Sequence, residues 1–114
     1  MAKYENRIKG DFDELLGKLN AGIVRDNVSN HYEDGSDYLD ENMRCAVRVY
    51  ERYSMLGKSR VSLAITLFGK DDDLFISIIT SGGNQTVFSK INTWGESSFL
   101  QRAIDIIENY KYTG

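Results

Sequence analysis

The chain has 114 residues, 41% hydrophobic and 27% charged, which fits one ordinary domain over residues 1–114 and excludes both a two-lobed enzyme and a disordered chain. A formal net charge of −3 provides no global positive field to gather phosphate backbones, so nucleic acid is not an expected partner. Cys45 is the sole cysteine and no stretch reaches the length of a membrane span; the expectation is a cytoplasmic protein with no disulfide, no cysteine-rich zinc site, no cofactor and no membrane attachment.

Residues 2–9 alternate, with Ala2, Tyr4 and Ile8 on one face and Lys3, Glu5, Arg7 and Lys9 on the other, as in a half-buried first strand ended by Gly10. Asp11 and Glu14 stand at capping-box spacing. Phe12, Leu15, Leu16, Leu19 and Ile23 then recur on one helical face, which predicts a helix over 12–23 with Gly22 as its terminator. Residues 28–39 are polar, anchored by His31, Tyr32, Tyr38 and Leu39, and read as an edge strand. Over 43–55, Met43, Cys45, Val47, Val49 and Tyr53 alternate with Arg44, Ala46, Arg48, Tyr50 and Arg52, and the more apolar set is assigned to the core.

A turn at 56–59 leads to Val61, Leu63, Ile65 and Leu67, which alternate with Ser62, Ala64, Thr66 and Phe68. A second turn at 69–72 precedes a central strand over 74–81. Gly82, Gly83 and Asn84 reverse the chain into a shorter strand over 85–91. Thr93 and Glu96 repeat the capping spacing, and Phe99, Leu100, Ala103, Ile104, Ile107 and Tyr110 form the stripe of a last helix over 94–111.

This order specifies an α+β fold, β-α-β(4-5)-α, in which a curved antiparallel sheet carries both helices on one face. The element order resembles the helix-grip and TATA-binding-protein-like folds. The stretches RCAVRVYERYS (Arg44 to Ser54) and ITSGGNQTVFSKINTWGE (Ile79 to Glu96) resemble a family of small bacterial proteins of unknown function from Gram-positive species. That resemblance implies membership and supplies no activity.

Residues that might carry chemistry have ordinary structural explanations. His31 is the only histidine, so neither a second imidazole ligand nor a separate triad base exists; beside Asp34 and Asp37 it reads first as a solvated edge residue. Cys45, on the assigned core face, reads as a small hydrophobe. Glu33, Asp34, Asp37, Asp40 and Glu41 lack the spacing of a calcium loop, and Ser81 to Asn84 lack the lysine and following helix of a phosphate loop. Trp94 reads as a plug between helix and sheet. Arg44, Arg48 and Arg52 stand in a row with Tyr50, suited to gripping a phosphate or carboxylate, or to pairing with the acidic strand before them.

The face opposite the assigned core carries Ala64, Phe68, Phe75, Ile79 and Phe88, more contiguous apolar surface than a monomer leaves wet. The leading expectation is therefore a non-enzymatic interaction module that forms a homodimer through this face. The alternative is a carrier of a small-molecule ligand, with a cavity between the sheet and the last helix. An enzyme ranks third, because no catalytic groups pair at motif spacing.

Overall fold

The computed structural model describes residues 1–26, 29–53, 59–82 and 96–113. The elements are β1 (Ala2–Lys9), α1 (Phe12–Asp26), β2 (Asn30–Asp40), β3 (Met43–Tyr53), β4 (Arg60–Lys70), β5 (Asp73–Gly82) and α2 (Glu96–Thr113). The strand expected over 85–91, the turn at 56–59 apart from Ser59, Trp94 and Phe88 lie outside the described residues.

Helix α1 starts where the capping pair places it. Asp11 Oδ2 accepts from the Glu14 amide at 2.8 Å, and its carbonyl accepts from Leu15 N at 3.0 Å, so the side chain and main chain of Asp11 open the helix together. The helix does not stop at Gly22. It runs to Asp26, and Gly22 instead lets α1 come close to α2: a Cβ there would lie 2.6 Å from Ile106 Cδ1. Gly69 likewise stays inside β4, under the ring of Phe12, and the turn is confined to Asp71 and Asp72.

The five strands form one antiparallel sheet in the order β1-β5-β4-β3-β2. Strands β2 to β5 are a meander, and β1 is added beside β5, so the first two strands lie on opposite edges with α1 crossing between them. The turns at Glu41–Asn42 and Asp71–Asp72 each open on a residue with positive φ, 55° and 56°, the left-handed geometry that closes a short hairpin. These ends are tied together: Gly10 N donates to Asp72 O at 3.0 Å and Asn42 Nδ2 to Asp71 Oδ1 at 3.1 Å.

Both helices pack on one face, as the two one-sided stripes require. Leu15, Leu19 and Ile23 of α1, and Phe99, Ala103 and Ile107 of α2, share a buried cluster with Leu63, Ile65, Leu67, Leu74, Ile76 and Ile78 of the sheet.

Candidate functional site

The face turned away from the helices is built by register. Across it, Arg7 pairs with Phe75, Phe75 with Phe68, Phe68 with Cys45 and Cys45 with Tyr38. Four residues along each strand, Lys3, Ile79, Ala64, Val49 and Asp34 form a parallel row. Among the described residues no helix lies on this face. Phe68 keeps 41% and Ile79 40% of their surface exposed, while Phe75 and Ala64 are half-buried against their neighbours. Phe68 and Phe75 stand at directly opposed positions, so two aromatic side chains lie side by side on this face. A depression of about 370 Å³ opens beside it, lined by Arg7, Phe68, Lys70, Asp73, Leu74 and Phe75.

The assignment of faces on β3 is corrected. Cross-strand partners share a face, and Ala46, Tyr50 and Arg52 stand opposite Leu67, Leu63 and Val61, which are fully buried. The arginine row therefore points at the helices, and Cys45, Val47 and Val49 point outward. Their half-buried side chains enlarge the apolar outer face.

Each arginine of the row is absorbed structurally. Arg44 donates to Asp13 Oδ2 at 2.8 Å and lies 4.2 Å from the centroid of Phe12, holding the Asp13 carboxyl below the usual carboxylate range. Arg48 donates to Asp37 Oδ1 at 2.8 Å and to the carbonyls of Val47 and Ser36. Arg52 is buried, with Nε donating to Asn30 Oδ1 at 2.8 Å, Nη1 to Ser98 Oγ at 3.1 Å and its guanidinium 4.4 Å over Phe99. Arg48 is the member that also borders a groove of about 570 Å³ between α1 and β2, with Asn20, Ala21, Val24, Arg25 and Tyr32.

Tyr50 lies beneath that groove, fully buried, with its hydroxyl donating to Asn20 Oδ1 at 2.7 Å. Burial pushes its phenol up from 10.0 to about 12. The neutral phenol thus stabilises the fold fully below pH 10, and this contribution is lost as pH rises from 10 towards 12. Urea midpoints compared at about pH 9 and about pH 11 should fall less for Tyr50→Phe than for the parent. Equal falls would remove Tyr50 as the source of alkaline sensitivity.

His31 is exposed, its ring 5.5 Å from that of Tyr53. Asp37 is turned to Arg48, and Asp34 accepts from the Gly35 amide at 2.8 Å, so neither carboxylate orients the imidazole. The remaining acids of the β2 edge are exposed. The space between sheet and α2, where a ligand cavity was expected, is filled among the described residues by Phe99, Ala103, Ile107 and Tyr110. The described grooves instead border α1, against β2 and against α2.

A family profile matches residues 1–111. The chain belongs to this family of unknown function, DUF6054. No curated protein and no solved structure matches it. Membership accounts for nearly the whole chain and leaves the function of this DUF6054 member to be argued from its surfaces. No helix among its described residues is long and apolar enough to cross a membrane. Sequence reading placed Ala64, Phe68, Phe75 and Ile79 on a common face but missed Val47, Val49 and Tyr38, which share it. The signal that could have found them is hairpin parity: facing strands joined by a loop of known length must put opposed residues on one side.

Proposed function

We propose that this chain is a non-enzymatic interaction module that forms a homodimer through the outer face of its sheet, centred on Phe68, Phe75 and Ile79. The observation that carries the reading is one-sidedness: both helices cover one face, while the described residues leave the other with an aromatic pair and a β-branched stripe facing out. Apolar surface is stabilised by about 25 cal/mol for each Å² removed from water, and aromatic rings supply much of the area at interfaces. A two-fold contact needs only one self-complementary patch. The small residues Ser62, Ala64 and Ser77 on the same face permit close approach of two sheets. The reading also places the protein in the reducing cytoplasm of a Gram-positive bacterium, supported by its single cysteine and by the sequence resemblance.

Phe75→Asp puts a charge at the centre of the patch without entering the core. It should weaken self-association by about a hundredfold or more, seen as a shift from dimer to monomer in light scattering with the circular-dichroism spectrum kept. A parent protein already monomeric at tens of micromolar, or a variant that unfolds, would sink the proposal.

A further inference from the structure

The outer face is bordered by edges of opposite sign. On β1 the outward side chains are Lys3, Glu5, Arg7 and Lys9. On β2 they include Asp34, Tyr38 and Asp40, with Glu33 beside the bulge bonded to the outward Tyr53 hydroxyl at 3.3 Å. Charged edge strands guard sheets against edge-to-edge aggregation. That protection works with either sign on either edge, and it does not account for a net positive border on β1, where three bases outnumber Glu5, and an acidic border on β2. Segregated signs are what a self-complementary face requires.

Building on the self-association reading, we infer that two copies pack outer face to outer face about a two-fold axis running along the central strand β4, so that the basic β1 edge of each lies on the acidic β2 edge of the other. Strand order makes β4 the middle of five, which places β1 and β2 at equal distances on either side of this axis. Rotation about a line parallel to the strands exchanges the edges and preserves position along them. Each row of the sheet therefore meets itself in reverse.

The Lys3 row ends on Asp34 and the Arg7 row on Tyr38. Lys3 of one copy faces Asp34 of the other, and Arg7 faces the ring of Tyr38, which is 66% exposed in the single chain. That ring would enter the depression of about 370 Å³ beside Arg7 and Phe75. Lys9 contributes less, because it already pairs with Asp72 and Asp73. A two-fold axis across the strands would instead stack β1 on β1 and β2 on β2, opposing like charges at both edges.

The test uses the intact chain. Lys3→Glu with Arg7→Glu makes both edges acidic and should weaken the dimer by about tenfold to a hundredfold at low salt, as measured by sedimentation equilibrium. Adding Asp34→Lys and Tyr38→Lys swaps the two edges and should restore the affinity to within about threefold of the parent, again only in the β1-on-β2 arrangement. A dimer that Phe75→Asp abolishes but the double reversal leaves unchanged, or that the fourfold swap fails to restore, overturns this pairing and leaves the outer-face reading standing. A parent that is monomeric overturns both.

Discussion

Arg52→Ala should lower the unfolding free energy by about 3 kcal/mol, moving the urea midpoint down by about 1–2 M. Arg52 is 5% exposed and joins distant elements through one chain of contacts: Ser98 in the first turn of α2, Arg52 on β3, Asn30 on β2, and the carbonyl of Ile23 near the end of α1, which accepts from Asn30 Nδ2 at 3.0 Å. Truncation strands Asn30 Oδ1, on a residue only 3% exposed, and opens space beneath Phe99. Lysine would keep the charge but lose the planar stack and the Nε bond, so Arg52→Lys should cost about half as much. A midpoint unchanged by Arg52→Ala would refute the structural role and return Arg52 to the list of ligand-binding residues.

The second large effect is expected at Gly10, where β1 hands over to α1. A Cβ on Gly10 would strike Tyr110 Oη and sit 2.8 Å from its Cε2. Tyr110 cannot step aside cheaply, because its ring is 2% exposed and its hydroxyl accepts from the Asp11 amide at 2.8 Å. Gly10→Ala should therefore cost about 2–3 kcal/mol, a fall of roughly 10 °C in Tm. Tyr110→Phe alone should cost about 1 kcal/mol, since it removes the acceptor that the Asp11 amide uses. The double variant should be more stable than the sum of the two losses, because the phenolic oxygen is the atom the new methyl strikes first. Strict additivity in calorimetry would show that the contact does not limit substitution at Gly10.

These effects separate what holds the fold from what the described residues leave open. The helix-covered face uses its cations as internal ties, whereas the outer face leaves Phe68 and Ile79 open and concentrates unlike charges at its borders.

Local chemistry was legible in the amino-acid sequence alone. The start of α1 follows from Asp11 and Glu14 because a cap involves residues three apart, and the inward face of β4 follows from Val61, Leu63, Ile65 and Leu67 because these four are uniformly large and aliphatic while the alternate positions include Ser62 and Thr66. The α+β class and the placement of both helices on one face follow from one-sided stripes that need a common apolar surface. Three features were decided only in three dimensions. The role of Gly22 is a close approach to Ile106, a residue 84 positions away in the chain, and not the end of the helix. The fate of the arginine row depends on the pairing of Arg52 with Val61: alternation has period two, so hydrophobicity favoured the valine side of β3, while register turned that side outward and buried the long arginine stems under the helices. The opposed charges of β1 and β2 became the two borders of one face only when strand order placed the first two strands on opposite edges, since no local pattern records which strands end up farthest apart.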